Sequence, residues 1–228
     1  MKRLLVLALV CLAVVSCKKE GCTDSNAVNY DSNANQDDGS CQYLPSGGIV
    51  TNPGAGVTFN GYTYTSIVLG NGQEWMAENL RTTTYANGDP IPNVTDGNQW
   101  DNLTTGAWAH YNHDSQYENP YGKLYNWYTV DDPRNVCPTG WHVPTDAEWT
   151  VLSDYLGGSA VAGGKMKSTG TQYWSSPNTD ATNESGFSGL PGGGRYYDGT
   201  FFTIGDDGSW WSSTGDFAAN AWVRGLFY

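Results

Sequence analysis

The segment that most constrains the fold of this chain is residues 135–158, NVCPTGWHVPTDAEWTVLSDYLGG. Thr145, followed three residues later by Glu148, is the pattern of a capping box, in which two side chains satisfy backbone N–H groups at a helix start. Apolar residues then recur at helical spacing, and two glycines suit a left-handed stop. These positions are Val151, Leu152, Tyr155 and Leu156, followed by Gly157 and Gly158. The segment predicts one helix, preceded by a short strand around His142, against which the rest of the chain packs.

The remainder of the chain reads as short strands and glycine-rich loops. Aromatic residues make up 14% of the sequence, charged residues only 15%, and glycines number 29, which is typical of a β-rich, loop-rich secreted module. Alternating apolar residues on both sides of Asn60-Gly61 predict a hairpin. A buried strand is expected at residues 122–128, a second hairpin at 195–203, further strands at 210–213 and 221–224, and a loop at 157–168.

The net charge of −12 argues against nucleic acid as a partner, because such a chain offers no basic stripe to neutralise phosphates. An acidic chain of this kind is compatible with divalent cations or with neutral sugars.

Residues 1–16 have the pattern of a bacterial signal peptide. Lys2 and Arg3 precede an apolar run that is too short to span a bilayer, and the run ends in Val-Val-Ser-Cys, which resembles a lipobox. Cys17 is then expected to carry a lipid that anchors the protein to a membrane of the cell envelope, specifically the outer membrane. The alternative is an ordinary secretory signal followed by an incidental cysteine.

The next segments read as a tether at 17–21, a spacer at 22–43 and a linker at 44–56. Export to an oxidising compartment predicts a disulfide between Cys22 and Cys41. The spacer resembles short repeats near the anchors of Bacteroidetes surface proteins, with an oxygen spacing similar to thrombospondin type 3 calcium repeats. Its candidate calcium ligands are Asp31, Asn33, Asn35 and Asp37, since calcium prefers several oxygens from one flexible loop. A disulfide-closed spacer without metal is the alternative.

Several motifs together resemble a known family. CPTGWHVPTDAEW, with LYNWY before it and GGKMKSTG, NESGFSGLPGGGR and WWSST after it, is similar to the Fibrobacter succinogenes major paralogous domain, which occurs in secreted proteins and lipoproteins mostly of Bacteroidetes-type bacteria. The resemblance covers residues 57–228. It implies an α+β, C-type-lectin-like fold of short antiparallel strands and long loops around one or two helices, related to the formylglycine-generating enzymes.

The resemblance also bears on the cysteines. Family members commonly end in a strand with a closing cysteine, which this chain lacks, so either the reading frame is truncated or Cys137 is a buried free thiol. The formylglycine-generating enzymes need a reactive cysteine pair, and the domain contains only Cys137. We therefore expect no catalysis, with a catalytic domain of that fold or a purely structural module as the alternatives.

Two loop regions contain candidate binding residues. Asn183 and Glu184 could hold calcium as lectin loops do, although the usual lectin sugar signatures do not occur, and a hydrogen-bonded structural loop is the alternative. Exposed aromatic rings stack on sugars because one face of a pyranose is apolar. The aromatic candidates in or beside the polar loop region are Trp100, Trp108, Tyr111, Tyr117 and Tyr121. The expected function is non-catalytic binding of polysaccharide or of a surface protein at the cell envelope.

Overall fold

The computed structural model describes residues 18–24, 27, 30–41, 49–215 and 221–228. The predicted signal segment, the predicted lipidation site Cys17, and residues 42–48 at the junction of the predicted spacer and linker lie outside these described residues. By its internal contacts the chain divides into two units, Met1–Gly48 and Ile49–Tyr228. In the described part of the chain, no helix is long and apolar enough to cross a membrane.

The first unit is held together by two short parallel strands and one disulfide. Strand β1 (Glu20–Gly21) pairs with β2 (Gln36–Asp37). Cys22, which follows β1 directly, is bonded to Cys41 and is only 1% exposed. The sequence-based prediction of this disulfide is therefore confirmed.

The second unit is a mixed α+β domain of short antiparallel strands and a few helices. Its strands are β3 (Thr51–Pro53), β4 (Val57–Phe59), β5 (Tyr62–Tyr64), β6 (Ser66–Leu69), β7 (Glu74–Met76), β8 (Trp108–Ala109), β9 (Leu124–Tyr125), β10 (Gly194–Arg195), β11 (Phe201–Phe202), β12 (Asp207–Gly215) and β13 (Ala221–Phe227). Its helices are α1 (Gly97–Asp101), α2 (Glu118–Tyr121), α3 (Trp127–Val130), α4 (Asp146–Tyr155) and α5 (Ser159–Met166). Strands β3, β6 and β7 form one sheet, and the pairs β4–β5, β8–β9, β10–β11 and β12–β13 form ribbons.

The hairpin predicted at Asn60-Gly61 is confirmed. Strand β4 pairs with β5 and ends opposite it at Phe59 and Tyr62. Asn60 and Gly61 both have positive φ angles, of 50° and 78°, which is the backbone that a two-residue hairpin of matching twist requires. The second predicted hairpin is also present, as strands β10 and β11.

Helix α4 begins at the predicted capping box. The Thr145 hydroxyl accepts from the Glu148 amide, and the Glu148 carboxylate accepts from the Thr145 amide at 2.8 Å. The buried face differs from the prediction in one residue: Val151 is 48% exposed, and Trp149 takes the inward position together with Leu152. The aromatic residue belongs to the inward face because its ring packs on Trp75, with centroids 4.7 Å apart.

The loop predicted at residues 157–168 is wrong, because most of it forms helix α5. Two adjacent glycines, Gly163 and Gly164, reduce the helical propensity of this segment and conceal it in the sequence. Tertiary packing explains the second of them. A Cβ atom at Gly164 would lie 2.3 Å from the carbonyl oxygen of Asp180, so only glycine allows the helix to approach that loop.

Two predicted strands also differ from the structure. Residues 141–143 form no strand; His142 instead hydrogen-bonds the Glu148 carboxylate at 2.9 Å, so a side chain rather than a ladder fixes this segment. The strand expected at 122–128 is limited to β9. The Asn126 side chain accepts from the Thr129 amide and starts helix α3, which competes with continued strand pairing.

The largest core cluster lies where helices α4 and α5 pack against strands from both ends of the domain. Its buried members are Leu69, Trp75, Trp149, Leu152, Tyr155, Leu156, Ala162, Met166, Trp174, Phe187 and Leu226. A second cluster is built on Tyr85, Ile91, Trp108, Val136 and Cys137, and a third on Val94, Trp100, Ala107 and Ala109. The long segment before β8 therefore packs into the domain.

Candidate functional site

The second unit contains a cavity of about 1130 Å³. Its walls come from strand β7 and the segment after it, from β9, from the turn before α4 and from β12. Much of the wall is aromatic, including Trp75, Tyr125, Trp141, Trp210 and Trp211. A concave space of this size, lined by aromatic side chains with a few polar groups, is the usual form of a ligand site.

Hydrogen bonds fix two of these indole rings. The Nε1 atom of Trp211 donates to the carbonyl oxygen of Tyr125 at 2.8 Å, and that of Trp210 donates to the Asn79 side chain at 2.8 Å. Trp75 differs, because its ring is 7% exposed and its Nε1 has no acceptor among the described residues. A buried donor without an acceptor is unfavourable for the folded state.

Cys137 borders the cavity as a free thiol that is 6% exposed. It packs in the second core cluster with Tyr125 and Trp141. Burial raises the pKa of the Cys137 thiol to about 12. Because the thiolate is the reactive form, this cysteine is a weak nucleophile at neutral pH.

A cluster of three charged or titratable groups lies beside the cavity. The Lys123 ammonium, whose side chain is 4% exposed, contacts one carboxylate oxygen of Glu118 at 2.6 Å, and His110 Nε2 contacts the other at 2.7 Å. Burial alone would raise the pKa of Glu118, but the hydrogen bonds from Lys123 and His110 outweigh it and hold that pKa below its usual value. The carboxylate is thus ionised and fully engaged at neutral pH.

Four tyrosines form a continuous row, which we call the tyrosine row: Tyr111, Tyr117, Tyr121 and Tyr173. Consecutive ring centroids are 5.5, 6.3 and 6.0 Å apart. Tyr111 is 8% exposed and also packs on Phe201, whereas the other three rings are partly exposed. Tyr121 belongs to both the row and the cavity wall, so the two features are continuous.

The tyrosine row unites three of the five aromatic candidates, and the other two lie apart from it. Trp100, Trp108 and Tyr111 are 7%, 8% and 8% exposed, which corrects the expectation that these three residues present open ring faces. Arg195 covers the Trp100 ring at 4.2 Å, and Trp108 donates through Nε1 to Ile91 at 2.9 Å. Both indoles pack the segment before β8 onto the domain.

The candidate calcium ligands of the first unit bond to other groups of the same unit. The Asp31 carboxylate contacts the Lys19 ammonium at 2.8 Å and accepts from the Asn33 amide at 2.8 Å. Asn35 accepts from the Lys19 amide, and Asp37 accepts from that of Gly39. Hydrogen bonding by the Lys19 side chain, followed by that of the Asn33 backbone, lowers the pKa of Asp31. A lysine therefore occupies the position beside Asp31, and calcium binding stays a prediction.

The structure places Asn183 and Glu184 in separate interactions. The Asn183 side chain accepts from the Ser188 amide and donates to its hydroxyl, both at 2.9 Å, which closes the loop. Glu184 is paired with Lys165 at 3.7 Å on the surface. Among the described residues, no three His, Cys, Asp or Glu side chains form a cluster suited to a metal ion.

His110 and His113 have an HxxH spacing that could suggest a metal site, with a surface loop as the alternative, and their side chains also diverge. His110 is bonded to Glu118, whereas the His113 ring packs edge-on against Phe201 with centroids 4.9 Å apart. Burial, with a smaller contribution from Arg195, lowers the pKa of His113. The structure therefore places the two rings in separate interactions.

A family model described as the Fibrobacter succinogenes major domain matches residues 68–227, which is more than half of the chain. The chain belongs to this family. The Fibrobacter succinogenes major domain contains the whole tyrosine row and most of the cavity wall. No curated protein and no solved structure matches the chain.

Tyr173 and Trp75 are site residues that the sequence analysis missed. Tyr173 follows Gly170, Thr171 and Gln172 in a polar loop, so the criterion that selected Tyr117 and Tyr121 would also have found it. Trp75 lies in a strand and carries no such signal. Its unused indole N–H is visible only once the surrounding acceptors are placed.

Proposed function

We propose that this protein is exported, is anchored by a lipid on Cys17 to the cell envelope at the outer membrane, and binds polysaccharide there. Its second unit would be a non-catalytic, C-type-lectin-like binding domain, with another surface protein as the alternative partner. The signal pattern of residues 1–16 supports the location. The observation that carries the function is the aromatic-lined cavity of about 1130 Å³.

The chemistry of the cavity wall suits a sugar. Indole rings present apolar faces that match the C–H face of a pyranose, and scattered polar groups match its hydroxyls. The ring of Trp141 is partly exposed and borders the same space.

A catalytic role is the alternative that the cavity itself raises, because Cys137 lines it. That thiol has a pKa raised to about 12 by burial, and the nearby Glu118 carboxylate is occupied by Lys123 and His110. An activated nucleophile needs a lowered pKa or an adjacent free base. These features favour binding over acyl or sulfur chemistry at Cys137.

The test is a glycan array with the full-length protein in detergent, run with calcium and with a chelator. Binding to a defined polysaccharide is expected in both conditions, since the cavity wall does not depend on calcium. Binding only with calcium would direct attention to Asp31, Asn33, Asn35, Asp37, Asn183 and Glu184. No binding by a folded sample would contradict the proposal in favour of a protein partner or a structural role.

Two serines of strand β12 provide a matched pair of variants. Ser209 borders the cavity, whereas Ser213 is an exposed serine of the same strand that does not line it. Ser209→Trp should reduce glycan binding at least tenfold by adding bulk to the cavity without removing core packing, and Ser213→Trp should leave binding unchanged. Equal effects of the two substitutions would show that the cavity is not the binding site.

A further inference from the structure

We infer that the tyrosine row is the track for a linear, uncharged polysaccharide, which enters or leaves the cavity at Tyr121. The inference rests on the proposed function and adds the class of ligand and the residues that contact it. Its starting observation is that Tyr121 lines the cavity and also contacts both Tyr117 and Tyr173.

The spacing of the row fits a repeating polymer. The steps between the partly exposed rings of Tyr117, Tyr121 and Tyr173 are 6.3 and 6.0 Å, each comparable with the length of one sugar unit along an extended chain. Stacking on successive rings is additive along such a polymer, whereas a monosaccharide covers only one ring.

The angles between rings separate two roles within the row. Tyr117 and Tyr121 are the pair nearest to a common plane, at 38°, so they form the platform on which sugar rings stack. Tyr111 and Tyr173 meet this pair nearly edge-on, at 71° and 78°. Edge-to-face contacts of this kind are favourable, so the outer two rings hold the platform in place.

The charges beside the row point to a neutral ligand. Glu118 lies between the platform residues in sequence, and its carboxylate is held by Lys123 and His110. Arg195, near Phe201, donates to the backbone oxygens of Val94 and Thr95. The Lys123 ammonium and the Arg195 guanidinium are thus engaged by groups of the protein. In addition, the net charge of −12 repels a polyanion.

The experiment measures the affinity of the full-length protein for soluble polymers, with hydroxyethyl cellulose and glucomannan as neutral chains and polygalacturonate as the anionic chain. Neutral chains should bind at least tenfold more tightly than polygalacturonate, and oligosaccharides should bind more tightly as they lengthen to the span of the row. Preference for polygalacturonate, or equal affinity for a monosaccharide, would overturn the inference.

Substitutions in the row locate the contact. Tyr117→Ala and Tyr121→Ala should each weaken binding by about tenfold, whereas the phenylalanine variants keep the ring and should bind within about twofold of the unchanged protein. Trp222→Ala is the control, since Trp222 is an aromatic residue, 48% exposed, outside the row. Polysaccharide binding that survives all row substitutions but is lost in Ser209→Trp would overturn the track and leave the proposed function standing. Absence of binding to every polymer would overturn both.

Discussion

The indole of Trp211 in strand β12 donates to the carbonyl oxygen of Tyr125 in strand β9 at 2.8 Å, which joins residues 86 positions apart. The same indole packs on Trp127 with ring centroids 5.9 Å apart. This contact closes one wall of the cavity, because Tyr125 and Trp211 both line it. The terminal hairpin thereby becomes part of the site.

Loss of this hydrogen bond should destabilise the domain. Trp211→Phe leaves the Tyr125 carbonyl without its donor and reduces contact with Trp127, so we expect the free energy of unfolding to fall by about 1–3 kcal/mol. Urea unfolding followed by circular dichroism measures it. Trp222→Phe on the paired strand should change stability by less than about 0.5 kcal/mol. Similar losses in the two variants would contradict the role given to the bond.

The two glycines of helix α5 should respond oppositely to alanine. A Cβ atom at Gly163 would meet Leu226 at an ordinary 3.5 Å, whereas one at Gly164 would meet backbone oxygen at 2.3 Å. Gly163→Ala should therefore raise the free energy of unfolding by about 0.5–1 kcal/mol through helical propensity. Gly164→Ala should lower it by about 1–3 kcal/mol, because the backbone must move apart. Thermal and urea unfolding of both variants test the pair, and a stabilised Gly164→Ala protein would refute the close approach.

The ion pair between Asp132 and Arg134 should contribute to acid sensitivity. Hydrogen bonding by the Arg134 side chain lowers the pKa of Asp132 from 3.8 to about 2. Because the folded-state pKa is depressed, the stabilisation is fully present above pH 3.8 and is lost as the pH falls towards 2. Asp132→Asn should flatten this part of the stability profile and lower the neutral-pH stability by no more than about 1 kcal/mol, since the arginine is partly exposed.

The measurement is the urea midpoint across that pH range. Asp154→Asn removes an exposed acid for which the described residues offer no ion pair, and it serves as the control. An unchanged pH slope in Asp132→Asn would show that the pair does not couple folding to protonation.

Local signals predicted the elements whose geometry is set within a few residues. Thr145 and Glu148 marked the start of α4, and Asn60-Gly61 marked a hairpin, since capping and turn chemistry act over neighbouring positions. Long-range packing decided the rest. The close approach to Asp180 requires a glycine at position 164, and that glycine weakens the helical pattern of α5 in the sequence. Spacing alone could not distinguish the exposed Val151 from its buried neighbours.

The sequence predicted that aromatic residues form the candidate site, but it identified only some of those residues. The polar-loop criterion found Tyr111, Tyr117 and Tyr121, which the structure brings into one row. The same criterion also selected Trp100 and Trp108, because the sequence does not reveal that the segment around them folds inward. The cavity is formed by strands that are far apart in the chain, so no local sequence pattern predicts it.

Burial should protect the Cys137 thiol from reagents in the native protein. The side chain is 6% exposed, and desolvation raises its pKa to about 12, so the thiolate fraction near neutral pH is very small. Reaction with an aromatic disulfide reagent near pH 8 should be more than about a hundredfold slower in the folded protein than in urea. The signal that disappears in Cys137→Ser identifies the contribution of this residue. Rapid labelling of Cys137 under native conditions would mean that the cavity admits the reagent to the thiol and that the surrounding aromatic wall opens readily. Slow native labelling that accelerates in proportion to unfolding is the result expected for a thiol that only unfolding exposes.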